Sequence, residues 1–208
     1  MTAGLFISLE GIDGVGKSTQ SDLLEEFLRG LGLDVVRTLE PGGTELGQEI
    51  RHLLLHRKGD VAPRAEALLY AADRAHHVAT KIRPALERGE VVITDRYLDS
   101  SVAYQGAGRA LKAEDVRAIS MFAVEGLLPE LTILLDLDAA AAAERRNKTG
   151  EAPDRLEREK IEFFEAVRQA FLDMAKAEPN RWLVVDARQS VEEMQAQIRA
   201  RVSQLLGA

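Results

Sequence analysis

The sequence feature that most constrains the fold is a glycine-rich segment that follows an apolar run near the N-terminus. Residues 11–18 read GIDGVGKS and fill every fixed position of the template G-x-x-x-x-G-K-[ST]. An apolar run over 5–9 predicts a buried strand before the segment, and an amphipathic helix is predicted to begin at Ser18. A strand, a glycine loop and a helix in this order form a P-loop, in which backbone N–H groups and the helix N-terminus bind a phosphate.

The side chains of this loop suit a nucleoside triphosphate. Lys17 is predicted to reach the β- and γ-phosphates, and the Ser18 hydroxyl is predicted to bind Mg²⁺. A chance glycine turn is the alternative, but it would not require a strand before it and a helix after it. The predicted triphosphate-binding residues are Gly11, Ile12, Asp13, Gly14, Val15, Gly16, Lys17, Ser18 and Thr19.

Composition narrows the class of protein. The chain has 208 residues, of which 46% are hydrophobic and 29% charged, so we predict a single globular domain over 1–208. The absence of cysteine excludes thiol catalysis and a disulfide framework. We expect a cytoplasmic protein, because there is no signal-type N-terminus and no apolar run near the roughly 18 residues of a membrane span. The net charge of −7 argues against binding a nucleic-acid polymer, although arginines in a cleft can still bind small phosphates.

Strands and helices are predicted to alternate along the chain. After the first pair, strands are predicted over 34–38, 91–95, 131–137 and 182–186, and helices over 45–55, 63–88, 113–124, 139–146, 155–177 and 190–206. Continuous apolar strands that alternate with helices indicate an α/β fold, namely a doubly wound, five-stranded parallel sheet with helices on both faces. Ligands bind beyond the carboxyl ends of such strands. The loops predicted to meet there span 10–18, 38–44, 95–106 and 186–190.

A second polar cluster follows the strand predicted over 91–95. Asp95 can hold Mg²⁺ through water or orient the acceptor, and Arg96 can form a bidentate pair with a phosphate. A structural Asp–Arg ion pair is the alternative. The expected position of both residues beside the P-loop favours phosphoryl transfer.

Four sequence blocks together resemble the thymidylate kinase family. They are LEGIDGVGKSTQ at 9–20, EPGGT at 40–44, LYAADRAHH at 69–77 and DRYLDSSVAYQG at 95–106. Many NTPases share the P-loop, but the second pair of blocks is close to diagnostic of this family. The resemblance implies a P-loop NTPase that transfers the γ-phosphoryl group of ATP to dTMP with Mg²⁺, giving dTDP and ADP in dTTP synthesis. It also implies a homodimer, with helices around 64–88 and 113–125 as candidate surfaces.

The resemblance implies roles for residues of the acceptor site. Asp13 would accept a hydrogen bond from the deoxyribose 3′-hydroxyl, and Tyr70, where the family usually has Phe, would stack on thymine. Arg74 lies one helical turn further on the same face and would donate to thymine O4. Because cytosine carries an amino donor at that position, this arginine would reject it.

Three residues of the last block match positions around the base and the sugar. Ser101 and Gln105 match positions that line the base. Tyr104 matches the aromatic group beneath the sugar that disfavours a ribose 2′-hydroxyl. A serine after a strand can also only satisfy the backbone of its loop, so this alternative stays open for Ser101.

The acceptor phosphate is expected to bind Arg51 and Arg96 on the same resemblance. Many family members carry an arginine before Glu-Pro-Gly-Gly, whereas this chain has Leu39, so dependence on the other two arginines is expected to rise. The alternative for Arg51 is a solvated helix residue. The resemblance also places Pro41 at the acceptor site and implies a cis peptide bond before it.

The catalytic arginine is expected to come from a lid. An arginine aimed at the γ-phosphoryl oxygens is worth about 10³–10⁵ in rate. One class of the family places it directly after the P-loop acid, where this chain has Gly14, and the bacterial class uses a mobile lid. The segment 145–155 fits such a lid, and its basic residues are Arg145, Arg146, Lys148 and Arg155. We hypothesise that Arg146 and Arg155, with Arg145 or Lys148, supply the positive charge that Gly14 lacks; a solvated charge run is the alternative.

The predicted catalytic residues are thus Lys17, Asp95, Arg96, Arg146 and Arg155, with Ser18 and Asp95 at the metal.

Other functions remain as alternatives. A small GTPase would need an Asn-Lys-x-Asp signature, and residues 147–150 read NKTG without the Asp. Another nucleoside monophosphate kinase or a deoxynucleoside kinase shares the reaction class, and Tyr70 and Arg74 separate these enzymes from a dTMP kinase. A non-catalytic nucleotide-binding module would be expected to lose Lys17, Asp95 or the lid arginines, which this chain retains.

Overall fold

A five-stranded parallel sheet forms the centre of the protein. The computed structural model describes residues 4–108, 111–147 and 155–207. The strands are β1 (Phe6–Glu10), β2 (Val35–Leu39), β3 (Val91–Asp95), β4 (Leu131–Asp136) and β5 (Trp182–Asp186). They lie in the order β2-β3-β1-β4-β5, and every pair is parallel. The predicted α/β fold with a doubly wound parallel sheet is confirmed.

The helices cover both faces of this sheet. They are α1 (Lys17–Gly30), α2 (Glu45–Leu55), α3 (Pro63–His77), α4 (Arg83–Glu87), α5 (Leu98–Ser101), α6 (Ala113–Val124), α7 (Ala139–Asn147), α8 (Ile161–Ala177) and α9 (Val191–Leu206). Successive side chains of a strand point to opposite faces. Accordingly, Ile7 and Leu9 belong to one hydrophobic cluster with Leu24 of α1, whereas Phe6 belongs to a second cluster with Ile82.

The strand register brings the functional segments together. Leu9 of β1 is paired with Asp95 of β3, and the two strands end side by side. Strands β2 and β3 lie on one side of β1, and β4 and β5 lie on the other. The strand order therefore reverses at β1, and ligands in such sheets bind beyond the carboxyl ends of the strands at this reversal. The P-loop and the segment after β3 therefore meet at the same edge.

The long helix predicted over 63–88 is interrupted. Helix α3 passes into a π-helical turn over Val78–Ile82, and α4 follows. Pro84 explains the interruption, because it has no N–H to donate and its ring would clash with the carbonyl of Thr80 in a regular α-helix. The wider π turn accommodates this residue within a continuous helical path.

Two other predicted boundaries are wrong. The segment predicted as a loop over 95–106 is largely helical, because α5 continues into a π-helical stretch over Val102–Gly108. Burial of Leu98 and Val102 in the core accounts for this order. The helix predicted over 155–177 begins only at Ile161, because residues 155–158 form turns against α2 and α3. Among the described helices, none has the length and apolar character needed to cross a bilayer.

Candidate functional site

The P-loop has the backbone geometry that its glycines predict. Gly11 has a φ of 134°, and a Cβ atom there would lie 2.7 Å from the carbonyl oxygen of Leu135. Lys17 curls back over the loop, where its Nζ donates to the carbonyls of Gly11 at 3.3 Å and Ile12 at 3.2 Å. Burial lowers the pKa of Lys17, and the nearby charge of Arg96 lowers it further. In this conformation the lysine stays at the loop surface that would receive phosphates.

Arg96 connects the P-loop to the segment after β3. Its Nη2 donates to Asp13 Oδ1 at 2.6 Å and to the Tyr104 hydroxyl at 3.2 Å, and its Nη1 donates to the Gly11 carbonyl at 3.0 Å. Burial alone would raise the pKa of Asp13, but the charges of Arg96 and Lys17 outweigh it and lower the pKa to about 2. Arg96 also has a φ of 69°, in the left-handed region that a non-glycine residue adopts at a cost. Asp13 is therefore held as a carboxylate.

Glu10 stabilises the segment that carries Arg96, a role that the sequence did not predict. Its carboxyl group accepts from the Tyr97 N–H at 2.8 Å and from the Ser100 hydroxyl at 2.5 Å. Ser100 in turn accepts from Arg96 Nη1 at 3.1 Å. Burial of Glu10, with the charge of Asp99, raises its pKa to about 8. A charged residue at the end of an otherwise apolar strand was the available signal.

A cleft of about 540 Å³ opens beside the P-loop. The predicted residues that line it are Asp13, Gly14, Gly16, Lys17, Ser18, Thr19, Arg51, Asp95, Arg96, Arg145 and Arg146. Gly11, Ile12 and Val15 are buried behind the loop. The cleft therefore brings together residues of the P-loop, of α2, of the end of β3 with the segment after it, and of α7.

Asp95 and Ser18 offer a place for Mg²⁺ in this cleft. Within the described parts of the chain, Asp95 Oδ1 is buried and has no hydrogen-bond partner. The described residues contain no group of three or more His, Cys, Asp or Glu side chains that could hold a metal ion. Mg²⁺ in phosphotransferases usually keeps several waters and binds phosphate oxygens with one or two protein groups. The orphan carboxylate oxygen and the exposed Ser18 hydroxyl fit that pattern.

A second pocket adjoins the cleft. All the residues predicted to bind the acceptor line it: Asp13, Pro41, Arg51, Tyr70, Arg74, Arg96, Ser101, Tyr104 and Gln105. Three of them, Asp13, Arg51 and Arg96, also line the cleft, so the two spaces are contiguous at these residues. We call this space the acceptor pocket.

Arg74 is fixed at the inner wall of the acceptor pocket. Its side chain is only 2% exposed, and its Nε donates to Glu40 at 2.7 Å. Its Nη2 donates to Ser101 Oγ at 3.1 Å and to the Tyr97 carbonyl at 3.3 Å. Burial would lower the pKa of Arg74, but the Glu40 charge outweighs it and raises the pKa. Ser101 thus contacts an arginine of the pocket and does not serve only its own backbone.

Glu40 is a second residue that the sequence reasoning did not single out. It precedes Pro41, and the peptide bond between them is cis, as the resemblance implies. Its other oxygen is 2.9 Å from His77 Nδ1, and His77 Nε2 is 2.7 Å from Thr38 Oγ1. The Pro41 carbonyl also accepts from Arg51 Nη1 at 2.9 Å. Helices α2 and α3 are therefore both attached to the turn after β2.

The lid arginines have different surroundings. Arg145 Nη1 donates to the Ala187 carbonyl at 2.9 Å, and the guanidinium of Arg146 lies 5.5 Å from the centre of the Phe164 ring. Arg155 instead donates from Nε to the Leu54 carbonyl at 2.8 Å and pairs with Glu66. Lys148 and the rest of 148–154 lie outside the described residues. The structure brings Arg145 and Arg146 to the cleft, but it places Arg155 at α2 and α3.

Gly14 packs directly against the helix that carries Arg146. It has a φ of 88°, and a Cβ atom there would lie 2.5 Å from the Ala142 carbonyl oxygen and 3.4 Å from Arg146 Cβ. Real Cβ atoms do not approach a backbone oxygen so closely. The absence of a side chain at this position therefore permits α7 to lie against the P-loop.

The raised pKa of Glu10 predicts a pH-dependent stability difference. The folded protein binds the proton more tightly than the unfolded chain does, so the stability of the wild type should fall as pH rises from about 4.5 to about 8. We expect the stability of the wild type relative to Glu10→Gln to decrease by more than about 1 kcal/mol between pH 5 and pH 8. Urea unfolding at both pH values measures this difference.

The matched control is Glu26→Gln, which changes an exposed carboxyl group of α1. A difference between wild type and Glu10→Gln that stays constant over this pH range would contradict the expectation.

Comparisons with known proteins agree with this geometry. A family model described as thymidylate kinase matches residues 9–198. A thymidylate kinase of Leifsonia xyli subsp. xyli is 67% identical over 199 residues, covering 96% of this chain and 94% of that protein. One from Clavibacter sepedonicus is 63% identical, covering 99% and 97%. The crystal structure of thymidylate kinase from Ehrlichia chaffeensis superposes with a TM-score of 0.73 at 33% identity, covering 88% of this chain and 93% of that one. With its P-loop cleft and adjoining acceptor pocket, the chain belongs to the thymidylate kinase family.

Proposed function

We propose that this protein transfers the γ-phosphoryl group of ATP to dTMP, giving dTDP and ADP. The observation that carries the proposal is the junction of the two spaces, where Asp13, Arg51 and Arg96 line both the P-loop cleft and the acceptor pocket. A phosphate bound at these arginines would lie next to the γ-phosphate of a nucleotide on the P-loop. Direct transfer between two bound nucleotides requires such proximity. We also infer a cytoplasmic location, where both substrates would be available.

The donor end is built for phosphate charge. Lys17 would move from the loop carbonyls to the β- and γ-phosphates, because these oxygens are stronger acceptors for an ammonium group. Ser18 and Asp95 would hold Mg²⁺. A bound Mg²⁺ would supply positive charge that offsets the negative charge of the phosphates. Ser18 and Asp95 both line the cleft, so both side chains can reach an ion bound there.

Different residues of the acceptor pocket would contact the sugar, the phosphate and the base of dTMP. Asp13 stays ionised at neutral pH and can accept a hydrogen bond from the 3′-hydroxyl of the sugar. Arg96 and Arg51 would bind the dTMP phosphate, and the Tyr104 ring below Arg96 would exclude a 2′-hydroxyl. Arg74 would donate to thymine O4. Its fixed orientation means that little reorganisation is needed when the base enters.

We assign the compensating positive charge to Arg146 rather than to Arg155. Arg146 lines the cleft and lies against Gly14, the position where another class of the family carries its arginine. Arg155 is held by Glu66 and the Leu54 carbonyl on the far side of the acceptor pocket. The hypothesis of a lid arginine is therefore kept for Arg146, and Arg155 receives a different proposed role below.

An acceptor panel tests the reaction. With ATP and Mg²⁺, we expect dTMP to have a higher kcat/KM than dUMP, UMP, CMP, GMP and AMP, because the pocket pairs Arg74 with a carbonyl oxygen of the base. Coupled detection of ADP and direct separation of the nucleotide products provide the measurement. A different best acceptor would refute the substrate assignment, and transfer to no acceptor would refute the reaction.

Substitution of Arg146 tests the transition-state charge. We expect Arg146→Ala to lower kcat by at least about 100-fold with a KM for dTMP within about threefold, since arginines with this role contribute about 10³–10⁵ in rate. Arg145 lines the same cleft, and its bond to the Ala187 carbonyl predicts a smaller fall in kcat for Arg145→Ala. The control is Arg88→Ala, which changes an exposed arginine paired with Glu90 and should leave kcat unchanged. Equal kcat values for Arg146→Ala and the wild type would contradict the assignment.

We also propose a homodimer that uses the α3–α6 side of the molecule. Phe122 on α6 is 87% exposed, and it borders an apolar groove formed with Ala75, Val78 and Met121. Large aromatic side chains this exposed often mark an interface.

Phe122→Glu is therefore expected to give monomers in sedimentation velocity experiments at micromolar concentration. The control Leu205→Glu changes a less exposed apolar residue of α9 and should leave the dimer intact. A wild type that is monomeric, or a Phe122→Glu variant that remains dimeric, would contradict the proposed interface.

A further inference from the structure

We propose that Glu66 is a positioning residue for base recognition: its carboxylate sets the orientation of the Gln105 amide, and Arg155 fixes that carboxylate. The proposal rests on the proposed function, because the base it concerns is the thymine of dTMP. It adds to the acceptor pocket a residue that does not line it and contacts no substrate in the proposed mechanism.

The three side chains form a chain of contacts behind the pocket. Glu66 is fully buried in the first turn of α3, and its Oε1 accepts from Gln105 Nε2 at 3.0 Å. Its other oxygen pairs with the guanidinium of Arg155. Arg155 is anchored in turn, since its Nε donates to the Leu54 carbonyl at the end of α2.

The chemistry of Glu66 leaves Gln105 a single favourable orientation. A carboxylate paired with a guanidinium accepts hydrogen bonds and has none to donate. The amide must therefore turn its NH₂ group toward Glu66. The opposite orientation would set two oxygens against each other in a buried place, where an unmade hydrogen bond is costly. Glu66 thus decides where the amide oxygen of Gln105 lies.

This orientation matters because Gln105 lines the acceptor pocket and is only 1% exposed. With one N–H used by Glu66, the amide oxygen and the second N–H remain for a ligand. Thymine presents an N3–H donor beside carbonyl acceptors, whereas cytosine presents an N3 acceptor beside an amino donor. A glutamine that was free to rotate by 180° could pair with either base. When Glu66 holds the amide with its oxygen toward N3, that oxygen accepts from the N3–H of thymine. The same oxygen would face the N3 acceptor of cytosine, so this orientation favours thymine.

Arg155 makes the arrangement possible. A buried carboxylate without a cation is costly, and one that became neutral could also donate a proton. The neighbouring Leu156 lines the acceptor pocket and packs in one cluster with Tyr70 and Leu55. Arg155, the last residue of the predicted lid, therefore stabilises Glu66 where the adjoining Leu156 lines the pocket. In this arrangement base recognition depends on docking of the segment that carries these two residues against α2 and α3.

The test compares dTMP with dCMP as acceptors of Glu66→Gln. We expect the KM for dTMP to rise about tenfold with kcat within about threefold. We also expect the ratio of kcat/KM for dTMP to that for dCMP to fall at least about tenfold, since a substituted amide at position 66 can both donate and accept. If Glu66 had a purely structural role, its substitution would lower kcat/KM for both substrates alike and leave the ratio unchanged. The control Glu162→Gln changes an exposed carboxyl group of α8 and should leave the ratio within twofold.

Two further variants complete the test, and Arg155→Met, which leaves Glu66 in place, keeps it decisive if Glu66→Gln folds poorly. In a Gln105→Ala background, the substitution at Glu66 should no longer change the dTMP-to-dCMP ratio, because it acts through the missing amide. Arg155→Met changes a partly exposed partner and should lower the ratio in the same direction. Ratios within twofold of the wild type in both Glu66→Gln and Arg155→Met, or additive effects in the double variant, would overturn the proposal. A wild type that does not prefer dTMP would refute the proposed function instead.

Discussion

The ion pair between Arg96 and Asp13 is the interaction on which both halves of the site depend. Asp13 belongs to the P-loop and Arg96 to the segment after β3, and the 2.6 Å contact between them crosses 83 residues of sequence. It exists because Leu9 and Asp95 are paired in the register of β1 and β3. A slip of one residue in that register would turn the side chains to opposite faces. The sheet thus determines how far apart donor and acceptor phosphates are held.

Buried acidic residues hold the arginines of this site in place. Glu10 supports the Arg96 segment through Ser100, Glu40 contacts Arg74, and Glu66 contacts Arg155. Removing one partner of a buried ion pair such as Arg74–Glu40 is costly, about 3–5 kcal/mol, because the other charge stays buried. These pairs are a poor source of net stability, but they leave each guanidinium little freedom. Groups oriented before the substrate arrives need little reorganisation during the reaction.

The sequence predicted the parts of this structure that depend on local patterns. The P-loop and the five strands follow from residues adjacent in sequence. All nine residues that the resemblance assigns to the acceptor line the acceptor pocket, but the resemblance did not assign five others that line it, namely Glu40, Leu55, Tyr97, Ser100 and Leu156. The contacts of Glu40, Glu66 and Arg155 join residues 34 to 101 positions apart, so no local pattern reveals them. For the same reason Arg155 was expected at the phosphates. The helical segment after β3 was missed because burial of Leu98 and Val102, rather than their spacing, stabilises it.

The close packing at Gly14 has a consequence for how this enzyme can be altered. A side chain at position 14 and the present position of α7 exclude each other, since the Ala142 carbonyl occupies the space of any Cβ atom. An arginine placed in the P-loop would therefore not add a second cation to the cleft. It would displace the helix that brings Arg146 there, so the two ways of supplying a positive charge are mutually exclusive in this protein. A graft from one class to the other has to exchange the P-loop and α7 as one unit.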